Sequence, residues 1–466
     1  MKIINRLLVF VAFVFFCSAV AASSRNANSE KKQQVKAHLK AHYKPYGFVR
    51  NYFAFDSRES VSGIGDMFNY LPRDHEWNQT EEEALNSGVK REDLNAKYSF
   101  RFLSLTTRVG LDVKDYKWGS TEFGAKVEAD FYAGLTGSTG VAQLRLRQAY
   151  LTLAWDSLRI NDRSMARVSL LMGQAWHPIA ADLCDVIALN TGAPFGPFSR
   201  TPQVKLDARL GEWFTLTGAA IWQMQYSSAG PDGQSANYIK YSCTPEGYLG
   251  LSFSHKSGVL LRAGVDVLSI TPRNEATIKV GNEEAAADVK VKVKERITTF
   301  SPFLYFQYKH GDFSLKAKAV FAEAGEHVNL NGGYGVSKVN GDGSWQYTPT
   351  RNLSSWLSIT YGKAVKGILF AGYVRNFGTK ESLAVNEDGS ITGFWFSKNS
   401  FSNLNRLWRL SPTVVWNIGM FQLGLEYEIT SAQYGEGGIS PKNGLAEKNL
   451  HWITNHRVQL MTKFSF

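Results

Sequence analysis

Arginine and lysine recur at alternate positions in several stretches of this chain, and acidic residues stand among them. The planar fork of an arginine matches a carboxylate, and basic side chains around one space attract anions. Interspersed carboxylates would instead set up a field across that space. Any single one of them can be an ordinary hydrated side chain, so the prediction rests on the whole set. The candidate site residues are Arg108, Lys126, Glu128, Asp130, Arg145, Arg147, Arg167, Asp182, Asp185, Lys205, Asp207, Arg209, Arg262, Lys316 and Lys318.

Signals for catalysis, a metal or a cofactor are weak. The nine histidines show no H-E-x-x-H spacing, and no G-x-S-x-G is present. The stretch "GLTGSTG" at 134–140 reads as a tight connection and not a phosphate loop, because no helix follows it. We therefore expect no enzyme activity, no metal and no cofactor.

Composition favours a strand-rich protein with an anionic partner. Hydrophobic residues make up 44% and aromatic residues 13%, which excludes a disordered chain and favours strands. The net charge of +11 suits anionic partners. Nucleic acid is not expected among them, because the chain has no basic block or nucleic-acid motif.

The first residues are typical of an export signal. Lys2 and Arg6 precede an apolar stretch at 7–16, and small residues at 19–21 suit cleavage. We predict a signal peptide at 1–21 and a polar periplasmic segment at 22–46; a membrane-anchor helix is the alternative. Only Cys184 and Cys243 would remain, so stability is not expected to come from disulfides, and whether these two pair is open.

From residue 47 onward, stretches of period two recur between turn residues. We predict sixteen strands, with cores at 47–55, 98–113, 119–134, 141–155, 166–176, 203–210, 213–226, 238–254, 259–270, 289–308, 313–324, 353–361, 368–377, 407–416, 421–434 and 452–466.

The connections between these strands alternate between short and long. Short ones include "LGEW", "HKSG", "KHGD" and "NIGM". The other series is mostly long, at 56–97, 177–202, 271–288, 325–352, 378–406 and 435–451; its member at 135–140 is short. This alternation is typical of a transmembrane barrel, with short periplasmic turns and long external loops.

The two faces of each strand differ in polarity. In "FGAKVEADFYAG", Lys126, Glu128 and Asp130 share one parity, while Val127 and Phe131 share the other. Sixteen strands enclose more space than their side chains fill, so the polar face would line a wet interior. The sequence thus predicts an all-β fold at 47–466, a closed antiparallel transmembrane β-barrel with its apolar face against lipid.

The stretch 47–466 resembles the sixteen-stranded porins of Gram-negative outer membranes. In "RLRQAYLTL" and "LMGQAWHP", the residues that resemble a porin strand pair, including that of DcaP-like porins, are Arg145, Arg147, Gln148, Tyr150, Gly173 and Gln174. The resemblance implies an integral outer-membrane homotrimer, a channel that passes small polar or anionic solutes such as dicarboxylates. The candidate residues above would then line the pore and set its selectivity.

The predicted third external loop, 177–202, is unusually apolar for a solvated loop. It holds Ile179, Leu183, Val186, Ile187, Leu189, Phe195 and Phe198, with only Asp182, Asp185 and Arg200 as charges. We predict that it folds into the barrel and narrows the pore, as the third loop of porins does. The alternative is a cap at a trimer interface or at the outer rim.

The last strand alternates in "HRVQLMTKFSF", which ends on Phe466. We predict that it pairs with the first strand near 47–55 and closes the barrel. Val458, Leu460 and Phe464 would then face lipid. A terminal phenylalanine also resembles the signal that the barrel-assembly machinery reads.

Other functions stay open at this stage. A surface adhesin or a structural barrel would use the long loops in place of a pore. A substrate-specific channel, for example for sugars, would need an aromatic track inside the barrel. A plugged uptake receptor is disfavoured, because the segment before the barrel is too short for a folded plug.

Overall fold

The computed structural model describes residues 42–63, 68–104, 106–133, 142–161, 164–281, 287–396 and 403–466. The predicted signal peptide, most of segment 22–46 and the connection at 134–141 lie outside these residues. Among the described residues, no helix is both long enough and apolar enough to cross a membrane.

Sixteen antiparallel strands close into one barrel, as predicted. They are β1 Tyr43–Asp56, β2 Ser99–Leu103 with Arg108–Trp118, β3 Thr121–Ala133, β4 Ala142–Asn161, β5 Ser164–Trp176, β6 Arg200–Leu210, β7 Phe214–Ile221, β8 Glu246–Ser254, β9 Val259–Ile270, β10 Ile297–His310, β11 Phe313–Glu323, β12 Trp345–Tyr361, β13 Val365–Thr379, β14 Leu404–Ile418, β15 Phe421–Glu436 and β16 Lys448–Ser465.

The barrel closes where the terminal strand predicted it would. β16 pairs with β1 from Phe48 opposite Ser465 to Asp56 opposite Arg457. Gly47 and Phe466 exchange two backbone hydrogen bonds, each of 3.0 Å. Each of the sixteen strands therefore pairs with a neighbour on both sides, and within the described strands the sheet has no open edge toward lipid.

Side-chain exposure confirms the predicted faces. Val127, Phe131, Val458 and Phe464 are exposed on the outer surface, whereas Glu128 and Asp130 are buried on the inner one. The outer surface is thus largely apolar and suited to lipid.

Short turns and long loops occupy opposite ends of the barrel. At the short-turn end, the described connections are 119–120, 211–213, 255–258, 311–312, 362–364 and 419–420. At the long-loop end they are loop 1 (57–98), loop 3 (177–199), loop 4 (222–245), loop 5 (271–296), loop 6 (324–344), loop 7 (380–403) and loop 8 (437–447).

Several loops contain regular structure of their own. Loop 1 holds a hairpin, Ser60–Gly63 with Phe68–Pro72, and a helix Glu81–Ser87 that Thr80 and Glu83 cap reciprocally. Loop 5 holds a second hairpin, Glu275–Val280 with Ala287–Lys292, and loop 6 holds a strand, Gly333–Val339, that continues the sheet from β12. Loop 6 also holds the 3-10 helix Gly325–Val328. Further segments are the 3-10 helix Pro178–Ala180 in loop 3, the helix Asn237–Ser242 in loop 4 and the short strand Phe394–Phe396 in loop 7.

Some predicted strand bounds are wrong for a common reason. β7 ends at Ile221, not at residue 226, and β8 begins at Glu246, not at residue 238, because a helix intervenes. β10 begins at Ile297, because the alternation near residue 289 belongs to the loop 5 hairpin. Alternation marks any strand, whether it lies in the barrel wall or in a loop.

The first two strands also differ from their predicted bounds. β1 begins at Tyr43 and not at residue 47. β2 is interrupted between Leu103 and Arg108. At this interruption Thr106 is buried, and its hydroxyl accepts a hydrogen bond of 2.9 Å from Arg50 Nε.

Candidate functional site

Loop 3 runs through the barrel interior and bonds to strands around its wall. The Ile187 carbonyl accepts a 2.6 Å hydrogen bond from Tyr52 of β1, and the Ile187 amide donates to Glu426 of β15 at 2.9 Å. The Asp185 amide donates to Ser358 of β12 at 3.1 Å. Since loop 3 leaves the wall at the ends of β5 and β6, its contacts with β1, β12 and β15 place residues 185–187 on the far side of the barrel interior.

The apolar residues of loop 3 are buried against inward-facing aromatic residues. Ile179 and Phe195 are fully buried, and the ring of Phe195 meets that of Phe370 edge-on. A Cβ on Gly372 would come within 2.4 Å of the Phe195 ring, so this close approach requires glycine. Removing these apolar side chains from water stabilises the packing of loop 3 against the inner wall.

Loops 1 and 6 complete an apolar filling of the long-loop half. Phe68, Tyr70 and Leu71 of the loop 1 hairpin are buried, and so are Val328 and Leu330 of loop 6. They join one cluster with Phe195 and Phe198 of loop 3 and with inward-facing wall residues. The expectation of a simply wet interior is therefore wrong for this half, because loops supply the bulk that wall side chains lack.

Ion pairs attach loop 3 to the wall formed by β9 and β11. Asp182 pairs with Arg262 at 2.5 Å, and Asp185 pairs with Lys316 at 2.7 Å. The fully buried Lys318 donates to the Ile179 carbonyl at 2.5 Å. These five candidate residues are thus occupied in holding the loop.

Arg409 of β14 was not among the predicted residues, although its role is central. Its guanidinium donates to the Asn69 and Tyr70 carbonyls of loop 1 at 2.9 and 3.0 Å. It also donates to the Ala193 carbonyl of loop 3 at 3.5 Å and lies 3.4 Å from Glu428. The inward parity of Arg409 in β14 was the available signal.

An arginine cluster faces loop 3 from the opposite wall. Arg145 binds both oxygens of Asp130 at 2.9 Å, and Arg147 bridges Asp130 at 2.6 Å and Glu128 at 2.8 Å. Arg108 lies 3.5 Å from Glu128, and its buried Nε has no partner among the described residues. We define this arginine cluster as Arg50, Arg108, Arg145 and Arg147; Arg50 is an addition to the predicted set.

The arginine cluster lines a cavity of about 220 Å³ whose other side is formed by residues 183–191 of loop 3 and by Phe198. Glu128 and Asp130 pair with three of the four guanidinium groups, and the fourth, that of Arg50, bonds to Thr106. The cavity therefore carries excess positive charge, and the unpartnered Nε of Arg108 is a donor available to an anion.

A second cavity, of about 530 Å³, lies toward the short-turn end below loop 3. Its basic lining residues are Arg167, Lys205, Arg209 and Arg262, and its acidic ones are Asp207 and Glu212. Lys205 bonds to Asp207 at 2.7 Å, and Arg209 donates to the Glu212 carbonyl at 2.9 Å. The predicted basic residues of β5, β6 and β9 are thus brought together here.

Lys126 is the remaining predicted residue, and it lies outside both cavity linings. It donates to Asp112 at 2.9 Å and faces the ring of Tyr46 at 4.8 Å.

The two cysteines do not pair. Cys184 of loop 3 is buried, Cys243 next to the loop 4 helix is exposed, and both are free thiols. Burial raises the pKa of the Cys184 thiol above its usual value, with Asp185 and Glu426 adding to the shift.

Comparisons with known proteins agree with this architecture. No protein-family model and no curated protein sequence matches the chain. Among solved structures, the outer-membrane channel DcaP of Acinetobacter baumannii is similar over 92% of this chain and 98% of its own, with 18% identity and a TM-score of 0.61. The anion-selective porin of Comamonas acidovorans aligns over 91% and 99% at 10% identity, with a TM-score of 0.47. A loop-deletion mutant of OmpT of Vibrio cholerae aligns over 91% and 99% at 11% identity and 0.46.

The similarity to DcaP shows the fold, which is the sixteen-stranded barrel of Gram-negative outer-membrane porins. The closed barrel has an apolar outer surface, and such barrels are integral proteins of the outer membrane.

Proposed function

We propose that this protein is a passive diffusion channel for small hydrophilic solutes in the outer membrane, with a preference for anions. The observation that supports it is the arginine cluster, in which four guanidinium groups line a cavity against loop 3 and two carboxylates pair with three of them. Small carboxylates are the solute class that suits this cavity best, because guanidinium groups match their geometry.

Loop 3 is proposed as the constriction of this channel. It leaves the wall at the ends of β5 and β6 and bonds to Tyr52 and Ser358 on other strands, so a solute that crosses the barrel would have to pass between it and a wall. The anchored side is closed by ion pairs such as Asp185–Lys316, so passage is proposed along the side of the arginine cluster. The lower cavity, lined by Arg167, Lys205 and Arg209, would continue the basic path toward the short-turn end.

A structural barrel or surface adhesin is the second candidate, and one observation favours it. The apolar cluster that includes Tyr70, Phe195 and Leu330 fills much of the long-loop half. Large and steady conductance steps in planar bilayers would support a channel. Silence from a barrel that shows heat-modifiable gel mobility would support the second candidate. A sugar-specific channel would show conductance that sugars block.

Assembly as a homotrimer, and recognition of Phe466 by the barrel-assembly machinery, are proposals that accompany this function. Crosslinking of the protein in membranes tests the first, and the folding yield of a Phe466→Ala variant tests the second.

The sign of the selectivity gives the sharpest test. In a salt gradient, we expect the unmodified protein to show an anion-selective reversal potential. Arg108→Gln should shift that potential toward cations, because Glu128 would lose a positive neighbour 3.5 Å away. Glu128→Gln should shift it the opposite way.

Arg375→Gln is the matched control, because Arg375 is exposed on the strand face opposite to that of the buried Val374. Its reversal potential should equal that of the unmodified protein. A cation-selective unmodified protein, or shifts of the same sign in Arg108→Gln and Glu128→Gln, would refute the assignment.

A further inference from the structure

Four ionisable side chains meet in a buried space at the long-loop end, and none of them lines the cavities described above. His177 begins loop 3, Glu246 begins β8, Asp266 lies in β9, and His327 lies in the 3-10 helix of loop 6. None of the four is more than 2% exposed. The ligand-type atoms of His177, Glu246 and Asp266 all lie within 4.8 Å of one another.

His327 stands between the two carboxylates. Its Nε2 lies 3.3 Å from Glu246 Oε1 and 3.2 Å from Asp266 Oδ2. Its Nδ1 lies 3.1 Å from the Ala324 carbonyl, to which it can only donate. In the neutral imidazole this contact leaves the Nε2 lone pair directed at the carboxylates, the arrangement found in metal-binding histidines.

His177 is held in the opposite tautomer. Its Nδ1 accepts a hydrogen bond of 3.2 Å from the Ile179 amide, so a neutral His177 carries its proton on Nε2. That nitrogen donates to Glu246 Oε1 at 2.6 Å. His177 therefore orients the Glu246 carboxylate and is not itself poised to bind a cation.

One oxygen of each carboxylate has no hydrogen-bond partner among the described residues. These oxygens are Glu246 Oε2 and Asp266 Oδ1, and both are buried. Buried carboxylate oxygens are costly when nothing neutralises or bonds to them. Asp266 Oδ1 lies 3.7 Å from His177 Nε2, beyond hydrogen-bond distance. A divalent cation would take the place of a proton on His327 Nε2 and bind the unpartnered oxygens at once.

We propose that Glu246, Asp266 and His327 form a binding site for a divalent transition-metal ion, with His177 as the residue that positions Glu246. One imidazole with two carboxylates suits Zn²⁺ and its neighbours in the first transition row. Mg²⁺ and Ca²⁺ are disfavoured, because they need six or more oxygen ligands or retained water.

The place of this site in the fold gives the ion a structural role. Asp266 and Glu246 belong to neighbouring wall strands, whereas His327 belongs to loop 6 and His177 is the first residue of loop 3. A bound ion would fasten loop 6, and through His177 the root of loop 3, to the wall.

The test is metal content and affinity of the barrel purified from membranes in detergent, stripped with a chelator and then dialysed against Zn²⁺. We expect about one Zn²⁺ per chain in the unmodified protein. Asp266→Asn and His327→Gln should hold almost none. His177→Gln should keep the site but weaken Zn²⁺ affinity roughly 10–100-fold, measured by competition with a chromophoric chelator.

His255→Gln is the matched control, because His255 is exposed in a turn at the opposite end of the barrel, and it should bind Zn²⁺ like the unmodified protein. Heating unfolds the barrel and changes its gel mobility. Chelation should lower the temperature of this change for the unmodified protein and leave it the same for His327→Gln. If a variant fails to fold, the unmodified protein is compared with itself, with and without bound metal. Zn²⁺ uptake by the unmodified protein no greater than that of Asp266→Asn would overturn the proposal and leave a network bridged by protons only.

Discussion

The two sides of the lumen use basic residues differently. On β9 and β11, Arg262, Lys316 and Lys318 bond to loop 3 and hold it in place. On β2 and β4, Arg108 and Arg145 pair with carboxylates of their own wall and line a cavity. Inward parity therefore locates a charge in the lumen, but the path of the loop decides whether it anchors the chain or faces a solute.

Deletion of residues 188–197 should have the largest effect on the difference between the two sides of the lumen. The deletion removes the buried Phe195 and the Ala193 carbonyl that Arg409 binds, so the anchored side of the lumen opens. We expect single-channel conductance to rise severalfold. Conductance equal to that of the unmodified protein would sink the assignment of loop 3 as the constriction.

Arg409→Met tests how strongly loops 1 and 3 depend on one wall residue. The change leaves Glu428 buried without its cation and removes the hydrogen bonds that Arg409 donates to three loop carbonyls, two of which keep a second donor in Asn190. We expect a loss of stability of about 3–5 kcal/mol, measured by denaturant unfolding of the barrel in detergent. Arg406→Met changes an exposed arginine of the same strand and should stay close to the unmodified protein. Equal stability of the two variants would contradict the role of Arg409.

Thiol labelling gives the smallest effect and reports on the loop without altering it. Cys184 is buried, and burial raises the pKa of its thiol, whereas Cys243 is exposed. A maleimide should therefore label Cys243 alone in the folded barrel, as a Cys243→Ser variant will show by not reacting. Adding Arg409→Met to Cys243→Ser should speed labelling of Cys184. Rapid labelling of Cys184 in Cys243→Ser alone would mean that loop 3 does not stay packed against the wall.

The strand prediction succeeded where a local pattern encodes the structure. Alternation such as that around Lys126 and Val127 reports which side of a strand meets lipid, and burial alternates in the same way along strands such as β8 and β10. It failed where the same pattern serves another purpose, as in the loop 5 hairpin, or where it continues into a helix at Asn237–Ser242. Periodicity identifies a strand without identifying its partner.

The site was predictable as a set of charges and not as an arrangement. Arg108, Arg145 and Arg147 were identified by parity, and the structure brings them to one cavity. The anchoring roles of Asp182 and Arg409 depend on contacts between distant parts of the chain, which no spacing reveals. The same holds for Glu246, Asp266 and His327, which come from separate segments.

The sequence by itself determined the barrel, its strand number, its lipid-facing surface and its closure through the last strand, because these follow from short-range alternation and from the need to pair every backbone group in lipid. Only the tertiary structure decided that loops 1, 3 and 6 fill the long-loop half, which charges hold loop 3, and where His327 meets two buried carboxylates. Those outcomes depend on packing between segments far apart in the chain, where burial of apolar side chains and pairing of buried charges select one path among many.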